Sequence, residues 1–310
     1  MPVVVGFFGT SFRRRPKDGD SFGWPLENCR GLLQESPKDF TRWVPVPGLV
    51  DLSNRPFVEV GTQESRKHRE AFWYRRTFRL EGPKPPLVRL KINKAKWGKK
   101  VYVNGQYVGE HWPCFTACVF DITPFVKADG MENELLIAVG ADPQQLRSGV
   151  ANGWDFENIP YIPGIYDSVT VFLSGELHIV RAQAVPDIDS QLVRFYIVVR
   201  ATRESTITQV EVRVFEVSSG RLVGQASLPE VQVPAGQEVE VQLPVSLHPR
   251  CLWSPEDPFL YLAIISAKGD SLRQRFGMRE FCFDPDMSKP LLNGRVYYLR
   301  GTNVCIFRFF

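Results

Sequence analysis

The chain is patterned at a period of two. Val88-Arg89-Leu90-Lys91-Ile92 alternates apolar and polar side chains, which predicts a strand with one face in a core and the other toward water. Phe72-Trp73-Tyr74-Arg75-Arg76-Thr77-Phe78 starts apolar and alternates toward its end, and Leu135-Leu136-Ile137-Ala138-Val139 and Val169-Thr170-Val171-Phe172-Leu173 continue the series. Asn104-Gly105 stands between the β-prone runs Val101-Tyr102-Val103 and Gln106-Tyr107-Val108. Both residues tolerate positive φ, so the dipeptide predicts a tight hairpin. A second series opens near Leu177 and includes Val193-Arg194-Phe195-Tyr196-Ile197-Val198-Val199, Val210-Glu211-Val212-Arg213-Val214-Phe215, Val239-Glu240-Val241-Gln242-Leu243 and Tyr261-Leu262-Ala263-Ile264-Ile265. Turn signals at Ser219-Gly220 and Pro234-Ala235-Gly236 separate its strands. No long stretch carries the 3.6-residue period of an amphipathic helix.

The expected fold class is therefore all-β, with two sandwiches in succession and boundaries near Gly175 and Pro285. Residues 1–35 are poorly patterned, 36–175 make the first sandwich, 176–284 the second, and 285–310 begin something further. Toward the C-terminus, Leu291-Leu292-Asn293-Gly294-Arg295-Val296-Tyr297-Tyr298-Leu299-Arg300-Gly301-Thr302-Asn303-Val304 reads as a hairpin turn followed by a buried strand, and an apolar run, Ile306-Phe307-Arg308-Phe309-Phe310, follows.

Composition narrows the function classes. At 310 residues, 44% hydrophobic and 23% charged, the chain has the make-up of a globular protein of two domains with a partial third. Its net charge of +4 is small for this length and argues against nucleic acid as a main partner. The one basic cluster, Arg13-Arg14-Arg15-Pro16-Lys17, reads as a solvated segment. No apolar run approaches the length of a membrane-spanning helix. Val3-Val4-Val5-Gly6-Phe7-Phe8 is too short for an export signal, and the location is left open, the cytoplasm slightly favoured. The six cysteines, Cys29, Cys114, Cys118, Cys251, Cys282 and Cys305, lack zinc-like spacing and read as reduced thiols. If Cys114 and Cys118 share a strand, they share a face. His68, His111, His178 and His248 form no motif, and neither a metal site nor a cofactor is expected.

Taken in order, the segments Trp43-Val44-Pro45-Val46-Pro47-Gly48, Trp73-Tyr74-Arg75-Arg76-Thr77-Phe78, Val101-Tyr102-Val103-Asn104-Gly105, Phe120-Asp121-Ile122-Thr123, Pro163-Gly164-Ile165-Tyr166-Asp167-Ser168-Val169, Leu252-Trp253-Ser254-Pro255-Glu256-Asp257-Pro258-Phe259-Leu260-Tyr261, Phe276-Gly277-Met278-Arg279 and Leu292-Asn293-Gly294 resemble glycoside hydrolase family 2. That family includes β-galactosidases, β-glucuronidases and β-mannosidases, and the resemblance covers roughly residues 40–304. It implies a jelly-roll sugar-binding-like domain over 36–175, an immunoglobulin-like sandwich over 176–284, and the first strand of a (β/α)₈ barrel in 285–310. A complete barrel takes roughly 250 residues, so it is not contained in that tail. The family's opening strand is unclear in residues 1–35; Gly23-Trp24-Pro25-Leu26 is at best a remnant, and the first sheet is expected to want an edge strand.

Retaining glycosidases hold two carboxyl groups about 5–5.5 Å apart. By resemblance both are glutamates of later barrel strands, so no catalytic residue is assigned. Glu157, Glu256 and Glu280 stand in no matching pattern. The candidate substrate-binding residues are Trp154 and Asp155, on a loop that in the family leans over the barrel mouth, together with Trp112 after the predicted hairpin, and Arg300 and Asn303 at the end of the first barrel strand. Indole faces stack on sugar C–H surfaces and carboxylates accept hydroxyl hydrogen bonds. Plainer readings stand beside these: Asp155 capping a turn, Trp154 and Trp112 packing on the sheet. Trp253, among prolines, is expected to anchor a sandwich corner. The resulting expectation is the accessory portion of a retaining β-glycosidase acting on terminal β-linked sugars, inactive as this segment. Its partner is carbohydrate, and the chain self-associates through bare barrel-docking surfaces. A non-catalytic carbohydrate-binding module and a structural fragment are the alternatives.

Overall fold

A computed structural model describes residues 37–55, 71–96, 98–140, 164–202 and 204–301, together with the backbone of two N-terminal strands at 4–6 and 24–29. The described residues divide into two compact units, one up to Leu173 and one from Ser174 onward. Both are built of antiparallel strands, and the described residues contain no α-helix.

The first unit contains β1 (Val4–Gly6), β2 (Trp24–Cys29), β3 (Arg42–Val44), β4 (Gly48–Leu49), β5 (Ala71–Arg79), β6 (Leu87–Ile92), β7 (Lys99–Val103), β8 (Gln106–His111), β9 (Cys118–Asp121), β10 (Glu132–Val139), β11 (Gly164–Ile165) and β12 (Val169–Ser174). A four-stranded sheet runs β1-β12-β6-β9 and a six-stranded sheet runs β3-β2-β5-β10-β7-β8. One core joins them: Phe72, Tyr74 and Phe78 from β5, Leu135, Ile137 and Val139 from β10, Val101 and Val103 from β7, and Val88, Leu90 and Ile92 from β6. Alternation follows because odd and even positions of a strand face opposite ways. The run Phe72-Trp73-Tyr74 breaks alternation for a visible reason. Trp73 joins Leu136 and Ala138 in a second apolar cluster, with Phe40 and Tyr102 packed against it.

Asn104 and Gly105 both take positive φ, at 49° and 77°, and close the β7–β8 hairpin with Val103 opposite Gln106. Asn104 also reaches sideways. Its Nδ2 donates to Phe125 O at 2.8 Å and to Asn133 Oδ1 at 2.9 Å, and its Oδ1 accepts from Glu134 N at 3.0 Å. Asn133, fully buried, accepts from Lys127 N at 2.7 Å and donates to Lys127 O at 2.9 Å. Two asparagines thereby satisfy the backbone of a partly buried loop, which an apolar side chain cannot do.

One expectation fails here. The first sheet does not want a strand: β2 lies inside it, between β3 and β5, and β1 borders the other sheet. Trp24-Pro25-Leu26-Glu27-Asn28-Cys29 has weak β-propensity, but its pairing is supplied by β3 and β5, distant in sequence. Tertiary pairing outweighs propensity in such strands.

The second unit contains β13 (Leu177–Asp187), β14 (Leu192–Ala201), β15 (Thr206–Glu216), β16 (Leu222–Val233), β17 (Glu238–Ser246), β18 (Tyr261–Ala267) and β19 (Asp270–Phe276). A three-stranded sheet β13-β14-β17 and a four-stranded sheet β16-β15-β18-β19 enclose Phe195, Ile197, Val212, Val214, Ala263 and Ile265. This is the seven-strand immunoglobulin-like arrangement. Tyr261 is wholly buried between Phe259 and Phe276, and its hydroxyl accepts from Cys251 N at 2.7 Å, the bond of a tyrosine corner. Trp253 holds an adjacent corner as expected: its N–H donates to Met278 O at 2.8 Å and the Arg279 guanidinium lies 4.2 Å from its ring.

Beyond β19 comes a small sheet of β20 (Phe281–Asp284), β21 (Lys289–Leu292) and β22 (Arg295–Val296). The Asn293-Gly294 turn is present, with both residues at positive φ. Of the buried strand expected after it, residues 302–304 lie outside the described residues, and no strand forms over 297–301. Pairing ends at Val296, and Tyr298 and Leu299 are exposed. A buried strand needs a neighbour on each side, and β22 is paired only with β21.

Candidate functional site

At one end of the first unit three stretches converge: 93–99 leading into β7, 111–118 between β8 and β9, and 164–168 around β11. The convergence is fixed by close backbone approach. β4 pairs with β11, Gly48 opposite Ile165 and Leu49 opposite Gly164. A Cβ on Gly164 would lie 2.6 Å from Leu49 Cα, and one on Gly48 would lie 2.6 Å from Pro45 O. Lys96 N donates to Gly164 O and Asn93 N to Ser168 O, while Tyr166 donates its hydroxyl proton to Cys114 O at 2.8 Å.

Trp112 sits at this end, half-buried. Its indole N–H donates to Glu110 Oε1 at 3.0 Å, Lys100 Nζ stands 5.9 Å from its ring centre, and a Cβ on Gly98 would come within 3.0 Å of the ring. The ring is thus oriented from three sides and keeps a partly open surface. Lys100 and Glu110 are 3.9 Å apart, and Lys94 lies 3.5 Å from Asp167. Tyr102 and Tyr107 follow on the outward face of the same hairpin, their rings 5.4 Å apart.

Beneath lies Lys99, only 2% exposed, donating from Nζ to Pro113 O at 3.0 Å. Burial pushes its ammonium below the ordinary lysine range. Burial and the Lys99 charge together push His111 below the ordinary imidazole range, and its Nε2 lies 3.3 Å from Thr116 Oγ1. Cys114 and Cys118 are buried, but only Cys118 is on a strand, so they do not share a strand face. Burial raises the Cys118 thiol, which behaves as a small apolar group.

The other sequence-derived candidates are scattered. Trp154, Asp155 and Asn303 lie outside the described residues, as does Glu157. Arg300 is exposed in the second unit. Glu256 and Glu280 are exposed on its surface. Sequence reasoning missed Lys99, Tyr166, and the Glu110 and Lys100 pair that orients Trp112. For Lys99 a signal existed: it shares the inward phase of Val101 and Val103.

Chemically, this end offers an indole, hydroxyls and charged groups already engaged in pairs. Glu110 is held by Trp112 and Lys100, and Asp167 by Lys94 and the Ser168 N–H. Neither is an isolated acid poised to transfer a proton. The second unit carries a shallow depression of about 360 Å³ lined by Ile207, Thr208, Glu211, Ser266 and Lys268, with a single carboxylate that lies 3.9 Å from Arg213. Such surfaces can bind; the two-carboxylate chemistry of glycoside cleavage is not assembled on them.

No family model matches the chain. It is 26% identical over 245 residues to a β-galactosidase of Thermoanaerobacter pseudethanolicus, covering 76% of this chain and 32% of that protein. It is 26% identical over 262 residues to a β-glucuronidase of Formosa agariphila, covering 77% of this chain and 26% of that protein. Among solved structures, a β-glucuronidase from glycoside hydrolase family 2 superposes with a TM-score of 0.67 at 20% identity, over 88% of this chain and 31% of that one. A family 2 member from Bacteroides cellulosilyticus gives 0.70 at 17% identity, over 90% and 38%. The chain has the all-β sandwich fold of these proteins. In sequence and fold it is similar to the N-terminal portion of glycoside hydrolase family 2 proteins. It spans about a quarter to a third of the length of the curated relatives it matches.

Proposed function

We propose that this chain is the accessory β portion of a retaining β-glycosidase acting on terminal β-linked sugars, and that these 310 residues alone hydrolyse no glycoside. The observation that carries the reading is the pairing of extensive likeness to glycosidases with a surface on which the described carboxylates of the candidate site are each tied to a cation or a donor. The division into residues 36–175, 176–284 and 285–310 belongs to the same proposal. So do substrate contacts by Trp154, Asp155, Trp112, Arg300 and Asn303 in an intact enzyme, and self-association through exposed apolar surface. The test is a turnover assay of the 310-residue protein on aryl β-glucuronides, β-galactosides and β-mannosides. The expected rate equals background, and turnover clearly above it refutes the proposal.

The orientation of Trp112 favours one second reading, a carbohydrate-binding module without catalysis. Titrating tryptophan fluorescence with the same sugars separates the two. A saturable change that Trp112→Ala abolishes supports binding, and its absence supports the silent accessory portion.

A further inference from the structure

Two hairpin turns of this chain are built alike. Asn104-Gly105 and Asn293-Gly294 each put an asparagine at positive φ (49° and 51°) before a glycine at positive φ (77° and 75°). Each asparagine grips the backbone of a glutamate outside its own hairpin. Asn104 N donates to Glu134 O and Asn293 N to Glu280 O, both at 2.9 Å, and the two side-chain oxygens accept from Glu134 N and Glu280 N at 3.0 Å. The surroundings differ. Asn104 Nδ2 binds Phe125 O and the oxygen of fully buried Asn133, and β8 pairs with β7 from Gln106–Val103 through to His111–Lys99. Asn293 Nδ2 donates to Trp253 O, and β22 pairs with β21 only through Val296 with Leu291 and Arg295 with Leu292. An Asn-Gly dipeptide also carries its own reaction. The glycine amide nitrogen loses its proton to water and attacks the asparagine Cγ. An N–C bond forms, the Cγ–Nδ2 bond breaks, ammonia leaves and a succinimide ring remains. Water then opens the ring to aspartate or isoaspartate. Glycine permits the attack because it has no Cβ to crowd it. In a closed turn the asparagine side chain is held by its hydrogen bonds, so the reaction proceeds from an open form and its rate follows the free energy of local opening.

We propose that Asn293 is a site of spontaneous deamidation in the folded chain, that the reaction unfastens the small sheet β20-β21-β22, and that Asn104 is protected from it. Opening the turn at Asn293 gives up a short ladder and the bonds to Trp253 and Glu280. Opening the turn at Asn104 gives up the full β7–β8 ladder and breaks the bonds that Asn104 shares with Asn133, Phe125 and Glu134. The product at 293 has lost the donor that the turn uses. A carboxylate there meets Trp253 O as acceptor against acceptor. Isoaspartate further lengthens the backbone by one methylene, which a two-residue turn with fixed register does not accommodate. Asn152-Gly153, the third such dipeptide in the sequence, lies outside the described residues.

The test is peptide mapping by mass spectrometry of the 310-residue protein aged at mildly alkaline pH, beside the same protein aged in concentrated urea. The urea sample sets the intrinsic reactivity of each dipeptide, because neither turn is formed there. Relative to that reference, Asn293 in the folded protein is expected to deamidate at least about tenfold faster than Asn104. Equal protection at the two sites, or faster reaction at Asn104, overturns the proposal. So does an Asn293 that stays intact while its urea reference reacts. The structural consequence is read on the aged protein itself, with no variant to misfold. The fraction deamidated at Asn293, separated by ion exchange on its added negative charge, is expected to exchange the amides of residues 280–296 faster than the unreacted fraction. Those of Leu192–Ala201 in the sandwich are expected to be unchanged. Identical exchange over 280–296 in the two fractions overturns the unfastening.

Discussion

Replacing Asn133 by alanine tests whether two asparagines hold the first sandwich together at its hairpin end. Asn133 is fully buried and lies at the centre of four contacts: Lys127 N and Asn104 Nδ2 on its oxygen, Lys127 O and Met131 O on its nitrogen. Three of these are 2.9 Å or shorter, and the bond to Met131 O, at 3.3 Å, is weak. A net hydrogen bond contributes about 1 kcal/mol, and a buried partner left unsatisfied costs about 1–3 kcal/mol. Alanine orphans both polar groups of Lys127 at once, so Asn133→Ala is expected to cost about 3 kcal/mol. With a urea slope of about 2 kcal/mol/M, the midpoint falls by about 1.5 M. Six of the seven tryptophans (Trp24, Trp43, Trp73, Trp97, Trp112, Trp154) precede Leu173 in the sequence. Tryptophan fluorescence therefore reports mainly on this unit, while far-ultraviolet dichroism follows both units. A fluorescence midpoint shift under about 0.3 M would falsify the reasoning, because the network would then be replaceable by water.

Three further outcomes follow from single contacts. Gly277→Ala puts a Cβ within 2.8 Å of Trp253 Cβ, at a residue whose φ is not left-handed, so overpacking alone is expected to cost about 1–3 kcal/mol and lower the melting temperature of the second unit; an unchanged transition by calorimetry contradicts this. Tyr261→Phe removes the hydroxyl that accepts from Cys251 N and is expected to cost about 1–2 kcal/mol, read by urea denaturation followed by far-ultraviolet dichroism. Burial lowers the Lys99 pKa in the folded chain below its ordinary 10.5. Between the two values the unfolded chain binds more protons, so stability rises with pH across that window. Lys99→Met is expected to flatten this rise, and an identical pH slope in both proteins refutes the assignment.

The strands were legible where one face meets water and the other a core, as in Leu87–Ile92 and Thr206–Glu216, because period-two alternation records that boundary directly. The Asn104-Gly105 hairpin was legible because positive φ at two successive positions restricts residue type. β1 and β2 were not, since Trp24–Cys29 contains Pro25, Glu27 and Asn28 and takes its pairing from strands far along the chain. The tail misled for the opposite reason. Val296-Tyr297-Tyr298-Leu299 has the composition of a buried strand, but composition does not supply the neighbour that would bury it. Of the candidate site, only the position of Trp112, an aromatic after a hairpin, was legible in the sequence. Its orientation depends on Gly98, Lys100 and Glu110, whose roles arise from cross-strand register and carry no local signal.

The motifs that carry the family resemblance separate into two physical kinds. Trp43–Gly48 and Pro163–Val169 meet at the Gly48 and Gly164 backbone; Trp253 meets Gly277, whose added Cβ would collide with it. At such contacts the sequence is constrained by steric room, because an added Cβ has nowhere to go. These motifs speak to fold. Leu292-Asn293-Gly294 is different, because it holds out a sheet whose apolar side chains meet little else among the described residues. Its order comes from the Asn293 bonds to Trp253 O and to the Glu280 backbone rather than from a core. Motifs of the first kind would survive in an isolated accessory domain. The second kind is a matter of hydrogen bonding at a turn, so removing the Asn293 side chain, rather than overpacking a glycine, is the change that would unfasten it.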